Sequence, residues 1–290
     1  MSEPRYRGRF APSPTGPLHF GSLVTAVASY LEARTRRGEW LIRIEDLDPL
    51  REPPEATGQI LQSLEAHGLF PDEPVRFQSR RHDAYQAAID QLLASGHAYR
   101  CPCSRKELAE HEGRHPRHCR DSPAALADRP CAIRFRLHDE RCHWTDRLLG
   151  PQTQIVRAEI DDPVLLRKEG FYAYQLAVVV DDIDQGITDV VRGSDLLDMT
   201  AQQLQIYEAL GERPPTWLHI PVILNEQGQK LSKQTHAPAL DDSRATYNLV
   251  DALTALGQQP PAALRTDSVN QILQWACNHW NYRAIHLTAQ

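Results

Sequence analysis

The sequence predicts an α/β fold built on a parallel sheet, with an inserted α+β subdomain and a short helical C-terminal extension. Three observations lead to this prediction. A strand–helix–strand pattern occupies residues 7–44, a segment with five of the six cysteines then interrupts it, and the α/β pattern returns after residue 170. With 290 residues, 41% of them hydrophobic, the chain can bury a sizeable core. We expect four parts, at residues 1–98, 99–170, 171–240 and 241–290.

The first part alternates strands and helices. Residues 7–11 form a predicted strand that runs into a proline-rich loop, and Ser22 is the predicted N-cap of a helix at 23–37. A second strand is predicted at 40–44. A strand–helix–strand unit of this length favours a parallel sheet, whose ligands bind beyond the carboxyl ends of the strands. Further helices are predicted at 55–67 and 81–95.

The remaining elements follow the same logic. Short β-like pieces are predicted inside the insertion, at 132–137 and 154–160. The α/β pattern after it predicts strands at 174–182, 189–192 and 217–224 and a helix at 201–210. The tail is predicted to be helical at 245–256 and 269–280.

Composition and charge exclude several classes of protein. No apolar run approaches the roughly 18 residues of a membrane span, and the amino terminus has no apolar segment typical of a secretory signal. Six cysteines are too few for a disulfide scaffold and indicate a reducing compartment. A net charge of −6 argues against indiscriminate nucleic-acid binding, yet it permits a local basic surface. We therefore expect a cytoplasmic monomer without a membrane partner.

The loop after the first strand has the composition of an anion site. It runs from Arg9 to Ser22 and includes three prolines, Gly16, His19 and Gly21. A rigid turn before a helix directs free backbone N–H groups and the positive helix end at an anion. Gly21 permits close approach, and His19 is placed to donate to a phosphate oxygen. The alternative is a proline-rich loop with an incidental histidine.

A second candidate phosphate site lies far downstream, at Lys230, Ser232 and Lys233. Lysine is rare in this chain, with four lysines among 32 basic residues, and two of them fall within this short segment. Mobile ammonium groups can follow a triphosphate as charge builds up on it. The alternative is a solvated surface loop.

The insertion carries a candidate zinc site. Cys101 and Cys103 are followed by His115 and Cys119, which supply the thiolate and imidazole ligands of a closed tetrahedral structural site. His111 and His118 compete for the nitrogen position, although His118 is poorly placed because it adjoins Cys119. The alternative is a set of unligated cysteines in a reducing compartment.

The two phosphate motifs together resemble the signatures of class I aminoacyl-tRNA synthetases. The segment Arg9-Phe-Ala-Pro-Ser-Pro-Thr-Gly16 is similar to the glutamyl branch, and the similarity continues through Arg43-Ile-Glu-Asp-Leu-Asp48, the 174–182 segment and Val191-Arg-Gly-Ser-Asp195. Two positions depart from the pattern: Ser22 replaces the second histidine of the first signature, and Gln234 the final serine of the second.

The resemblance implies a Rossmann-type catalytic domain formed by residues 1–98 and 171–240, with a zinc-containing subdomain inserted at 99–170 and a helical extension at 241–290. It also implies ATP with Mg²⁺, favours His115 as the fourth zinc ligand, and makes His19 and Lys233 the catalytic residues. The implied ATP contacts are His19, Gly21, Lys230, Ser232 and Lys233.

The residues agree with a pocket for L-glutamate, which offers one ammonium and two carboxylates. Glu45 follows an apolar strand and suits the ammonium, while Arg9 and Arg192 lie at strand ends and can each bind a carboxylate. By resemblance the amino-acid contacts are Arg9, Phe10, Ala11, Pro12, Ser13, Glu45, Tyr174 and Arg192.

Three alternatives concern the same region. Tyr174 fits an ordinary strand core, and Arg192 fits an ion pair with Asp189 or Asp195. The Asp181–Asp182 pair is interpreted as a strand-end turn rather than a metal site.

Only 56 residues follow Gln234, which is short for an anticodon-reading module of the usual kind. This layout is similar to that of the glutamyl-Q tRNA(Asp) synthetase family. That resemblance implies activation of L-glutamate without tRNA, then transfer to the queuosine base at the wobble position of tRNA(Asp), whose anticodon loop would be the partner. The alternatives are a minimal glutamyl-tRNA synthetase that charges a tRNA 3′ end, and a non-catalytic RNA-binding paralogue.

Overall fold

A computed structural model describes residues 5–111, 115, 117–121, 130–138, 141–156, 161–224 and 238–286. Within these ranges the central feature is a sheet of seven strands. In chain order its strands are β1 (Arg7–Phe10), β2 (Glu39–Ile44), β3 (Arg76–Phe77), β6 (Arg141–Asp146), β7 (Gly150–Ile155), β9 (Asp189–Gly193) and β10 (Thr216–Ile220). The three remaining strands, β4 (Ala98–Cys101), β5 (Ala132–Phe135) and β8 (Val164–Leu166), form a small antiparallel sheet.

The large sheet has the strand order β3-β2-β1-β9-β10-β6-β7, and every neighbouring pair is parallel except β6 with β7. The chain leaves β1 towards β2 and β3 and later returns on the other side at β9 and β10. The order therefore reverses between β1 and β9, and such a reversal opens a crevice at the carboxyl ends of the strands. This arrangement confirms the predicted Rossmann-type parallel sheet.

Helices cover the sheet and build the core around it. Helix α1 packs on β1, β2 and β9 and buries Leu23, Val27 and Leu31 against them. The helices of the described chain are α1 (Phe20–Thr35), α2 (Ala56–Ala66), α3 (His82–Ala94), α4 (Arg105–Ala109), α5 (Tyr174–Asp184), α6 (Thr200–Ala209), α7 (Ala245–Ala255) and α8 (Val269–His279). Helices α7 and α8 pack against α1 and extend the main core, and their positions confirm the helices predicted in the tail.

The strand predicted at 174–182 is wrong, because these residues form helix α5. Its run of valines favours a strand locally, but Leu176, Val178 and Val179 are buried in the core when the segment is helical. Burial on a helical face has overridden the local propensity. Asp181 and Asp182 accordingly lie in the last turn of a helix, and the interpretation as a strand-end turn is wrong as well.

The predicted cap of α1 is also wrong. The helix begins at Phe20, and its N-cap is His19, whose side chain accepts a hydrogen bond from the backbone N–H of Ser22. Residues 157–160 of the β-like piece predicted at 154–160 lie outside the described residues. The β6–β7 hairpin comes from the 99–170 segment yet joins the main sheet beside β10, and the four-part division of the chain stays a prediction.

Candidate active site and metal centre

A cavity of about 650 Å³ opens at the carboxyl edge of the sheet, at the reversal between β1 and β9. Its wall includes all eight predicted amino-acid contacts as well as His19 and Gly21 from the start of α1. These residues come from segments more than 180 positions apart, and the parallel sheet brings them together. Their roles stay predictions. Lys230, Ser232 and Lys233, with the neighbouring Gln234, lie outside the described residues.

The amino end of α1 forms one wall of this cavity. The Nδ1 atom of His19 lies 3.2 Å from the backbone nitrogen of Ser22, which donates to it. Since Nδ1 accepts, the neutral ring carries its hydrogen on Nε2, which lies 3.0 Å from the Ser22 hydroxyl oxygen. The Nε2 hydrogen of His19 thus faces the Ser22 hydroxyl, beside the positive end of a 16-residue helix, and this helix end suits an anion.

Arg9 is held in a buried ion cluster beneath the cavity. Its Nε and Nη2 atoms donate to the two carboxylate oxygens of Asp182, at 3.0 and 3.2 Å. The fully buried Arg43 donates to the same carboxylate at 2.7 Å. Burial opposes ionisation of Asp182, but these two guanidinium groups hold its pKa below the usual range. Arg9 thus keeps its orientation, and its Nη1 group makes no hydrogen bond within the described part of the chain.

Glu45 is a buried carboxylate with an incomplete set of partners. Its Oε1 atom has no hydrogen-bond partner among the described residues, and the nearest guanidinium nitrogen, Nη2 of Arg43, lies 3.7 Å away. Burial raises the pKa of Glu45 to about 7, although Arg43 and Arg9 act in the opposite direction. An ammonium group bound here would donate the hydrogen bonds that this carboxylate lacks among the described residues.

Arg192 is fixed by a second polar network. Its guanidinium donates to Nε2 of His219 at 2.9 Å, to Gln203 Oε1 at 2.8 Å and to the Thr200 hydroxyl at 2.9 Å. The Nδ1 atom of His219 lies 2.7 Å from Asp146 Oδ2. Because Nε2 accepts from Arg192, the hydrogen of His219 is on Nδ1 and is donated to Asp146. Burial lowers the pKa of His219, which keeps the ring neutral and this polarity fixed.

Tyr174 is the first residue of α5 and lies on the cavity wall. Burial raises the pKa of its hydroxyl, so the phenol is neutral and able to donate at physiological pH. Because Tyr174 is the first residue of a helix, the alternative that it belongs to a strand core is wrong. Arg192 donates its hydrogen bonds to the network described above, and this arrangement differs from the alternative ion pair with Asp189.

Sequence reasoning missed the residues that hold the predicted contacts in place. Asp182 orients Arg9, and His219 with Asp146 orients Arg192. The partners are 27 to 173 positions apart, so no local pattern signals the pairing. The one available signal is the acidic pair Asp181–Asp182, since two carboxylates next to an apolar run need buried cationic partners.

The four predicted zinc ligands meet in the inserted segment. The ligand atoms of Cys101, Cys103, His115 and Cys119 all lie within 4.8 Å of one another. The Nε2 atom of His115 is buried without a hydrogen-bond partner among the described residues, and a bound metal ion would fill that position. Three thiols and one imidazole at this separation are the donor set of a structural zinc site. The cluster therefore fits zinc.

The competing histidines are placed differently. The Nε2 atom of His118 lies 3.6 Å from Cys103 Sγ, and its ring stacks on that of His115 with 5.5 Å between centroids. His118 is thus adjacent to the cluster without belonging to the four-residue group, and His111 is exposed. Burial tends to raise the pKa of the Cys101 thiol, but the neighbouring His115 and the backbone of Cys103 outweigh burial and lower that pKa to about 6.

Comparisons with known proteins agree with this geometry. A family model described as tRNA synthetases class I (E and Q), catalytic domain, matches residues 5–253. Over 290 aligned residues the chain is 51% identical to a Chromobacterium violaceum protein named glutamyl-Q tRNA(Asp) synthetase, with 97% of this chain and 95% of the relative covered. A Pseudomonas aeruginosa protein of the same name is 50% identical, with 95% and 94% covered. The chain belongs to the glutamyl-Q tRNA(Asp) synthetase family.

Membership of the glutamyl-Q tRNA(Asp) synthetase family makes the protein a ligase of the class I aminoacyl-tRNA synthetase type and implies the use of ATP. The predicted resemblance is confirmed. A solved glutamate-tRNA synthetase from Elizabethkingia anophelis has a TM-score of 0.81 at 26% identity, covering 98% of this chain and 67% of that one. No helix in the described ranges is long and apolar enough to cross a membrane.

Proposed function

We propose that this chain activates L-glutamate with ATP to glutamyl-adenylate in the absence of tRNA. It then transfers the glutamyl group to the queuosine base at the wobble position of tRNA(Asp). One observation carries the proposal: a single cavity contains an acid for the ammonium of glutamate, two arginines for its carboxylates and a helix end for phosphate. The names of relatives about 50% identical over nearly their whole length support the choice of acceptor.

The two steps need no nucleophile from the protein. In the first, a carboxylate oxygen of glutamate forms a bond to the α-phosphorus of ATP, and the bond from that phosphorus to the bridging oxygen breaks to release pyrophosphate. In the second, a hydroxyl of the acceptor forms an ester with the glutamyl carbon, and AMP leaves with the displaced oxygen and the hydroxyl proton. Catalysis then depends on positioning and charge stabilisation.

The described residues have distinct parts in this scheme. Glu45 binds the ammonium, and Arg9 and Arg192 bind the carboxylates in orientations fixed by the networks beneath them. The amino end of α1 donates to the phosphates, and Nε2 of His19 exchanges its contact with the Ser22 hydroxyl for a phosphate oxygen. Mg²⁺ bound with ATP would neutralise phosphate charge. Zinc would be held by the four ligands of the Cys/His cluster and would have a structural role.

The flanks of the lysine segment support a role for Lys233 and Lys230 at the same phosphates. Ile223, shortly before that segment, lines the cavity. Ala239, just after it, forms an antiparallel bridge with His19, and the backbone N–H of Leu240 donates to the carbonyl of Leu18 at 2.9 Å. Both flanks of the segment that carries the lysines are therefore anchored beside the cavity.

The proposal is tested by two assays on the purified chain. We expect glutamate-dependent exchange of pyrophosphate into ATP without any RNA, because all eight predicted glutamate contacts line one cavity. We also expect labelled glutamate to enter tRNA(Asp) and to survive removal of the 3′ end of that tRNA.

The control is tRNA(Asp) from cells that lack queuosine, which we expect to accept no glutamate. Absence of exchange without RNA would refute the first step. Label that disappears with the 3′ end would favour the minimal glutamyl-tRNA synthetase instead.

A further inference from the structure

A second, smaller cavity adjoins the one that contains the predicted glutamate contacts. It measures about 280 Å³ and shares Ser13, Thr15, Glu45 and Tyr174 with the larger cavity. We call it the side chamber. Its volume lies just below the roughly 300 Å³ at which drug-sized pockets begin, so it suits a ring-sized group rather than a complete nucleotide. Glu45 forms part of the shared wall, and the carboxylate next to the bound ammonium would lie close to that wall.

Gln78 lines this chamber and has one acceptor atom without a partner among the described residues. Its side chain is 1% exposed, and its Nε2 atom donates to Asp181 Oδ2 at 2.9 Å. The Asp181 carboxylate also accepts from the Tyr85 hydroxyl at 2.7 Å. If the Gln78 amide were flipped, its carbonyl oxygen would face this carboxylate and no hydrogen bond would form. The amide orientation is therefore fixed. Its Oε1 atom has no partner among the described residues, although Gln78 lines the chamber.

Carboxylates surround the same space. Asp48 and Glu52 line the chamber together with Glu45, and Glu52 accepts from the backbone N–H of Asp48 at 2.9 Å. Burial, with the charges of Asp46 and Asp48, raises the pKa of Glu52 above its ordinary value. A chamber rich in acceptors, one of them buried and unpaired, fits a group that carries several N–H and O–H donors.

The remaining lining residues suit the nucleotide that would carry such a group. Phe171 and Tyr172 bring aromatic rings to the wall, on which a base can stack. Arg51 and Arg167 lie beside Asp48, at 2.6 and 3.5 Å, and place cationic groups at the same wall, where phosphate can bind.

We propose that the side chamber is the acceptor subsite, in which Glu52, Asp48 and Gln78 bind an amine and adjacent hydroxyls projecting from a single RNA nucleotide. The inference rests on the proposed function and deepens it. Queuosine has this chemistry, because its base carries a secondary amine and a ring with two neighbouring hydroxyls. With the amine on the carboxylates, one hydroxyl faces the shared wall and attacks the glutamyl carbon from there. The ester forms, AMP leaves, and the hydroxyl proton goes to the departing phosphate oxygen.

The test compares two reactions in the same variants. Glu52→Gln and Asp48→Asn keep side-chain shape and remove charge, and Glu55→Gln on the same segment is the matched control because Glu55 is exposed and outside the chamber lining. Pyrophosphate exchange without RNA measures activation, and labelling of queuosine-containing tRNA(Asp) measures transfer. We expect the ratio of transfer to exchange to fall about tenfold or more in the first two variants, since a charge-assisted hydrogen bond is lost. We expect that ratio to stay at the parent level in Glu55→Gln.

The outcomes separate the two proposals. A parent enzyme that transfers glutamate to queuosine, with both chamber variants keeping the parent ratio, overturns the acceptor subsite and leaves the proposed function intact. Equal losses of exchange and transfer also overturn it, because the carboxylates would then act on the glutamate cavity or the fold. A parent enzyme that exchanges pyrophosphate but does not label queuosine-containing tRNA refutes the proposed acceptor, and the subsite falls with it.

Discussion

The cavity with the predicted glutamate contacts and the Cys/His cluster both gather buried polar groups, but the charges of these groups are balanced differently. Under the cavity, Arg9 and Arg43 neutralise Asp182 through contacts made by the protein itself. In the cluster, Cys103 and Cys119 have sulfur atoms 3.5 Å apart. Burial and the neighbouring thiols raise the pKa of Cys119, so a second thiolate is disfavoured there. The polar groups under the cavity are therefore balanced by the protein itself, whereas the cluster has the donor set that a bound cation would balance.

The comparison predicts the largest effect where the cavity network is broken. Arg192→Lys removes the planar fork that bonds His219, Gln203 and Thr200 and would bind a carboxylate of glutamate. Two or more buried groups then lose partners. We expect pyrophosphate exchange to fall about a thousandfold. Exchange kinetics measure this loss of activity, and a melting curve measures the change in stability. The exposed Arg213→Lys is the control. A loss of exchange below about tenfold would show that Arg192 is not a glutamate contact.

A medium effect is predicted for the charge of Glu45. With its pKa raised to about 7 by burial, this carboxylate is ionised above pH 7 and protonated below it. The ammonium of glutamate needs the ionised form. We therefore expect the KM for glutamate in the exchange assay to rise by up to about tenfold for each pH unit below 7. Glu45→Gln is expected to show a high KM that is independent of pH, and an unchanged slope in this variant would assign the titration to another group.

The same variant has a predicted signature in stability. A carboxyl whose folded-state pKa lies above the ordinary 4.5 stabilises the fold while protonated, and that contribution is lost as pH rises through about 7. The melting temperature of Glu45→Gln, relative to that of the parent, should therefore rise between pH 5 and pH 8. A constant difference over this range would contradict the raised pKa.

The smallest effect on activation is predicted at the cluster. Cys119→Ser removes one of four ligands, so we expect bound zinc, measured by elemental analysis, to fall well below one ion per chain. The melting temperature should fall as well, while exchange without RNA changes less than about threefold because the cavity network contains no ligand of the cluster. Cys142→Ser, outside the cluster, should keep its zinc. Full zinc content in Cys119→Ser would refute the assignment of the cluster as a zinc site.

Local patterns predict the part of the site that lies at strand ends. Arg9, Glu45 and Arg192 could be placed because parallel strands present their carboxyl ends at one edge. The helical conformation of the valine-containing segment α5 could not be predicted from the local sequence. A helix that ends in several aspartates opposes its own dipole. Here Arg9 and Arg43 compensate the buried Asp182. That compensation depends on residues more than 130 positions away.

The β6–β7 hairpin has a consequence for any effort to trim the insertion. Asp146 is the last residue of β6, and its carboxylate receives the hydrogen of His219, the histidine that fixes Arg192. A shortened enzyme can lack the zinc-binding loops only if it keeps residues 141–155, which hold Asp146 against His219. Without them the arginine expected to select glutamate would lose its alignment, and discrimination between amino acids would weaken before the fold itself failed.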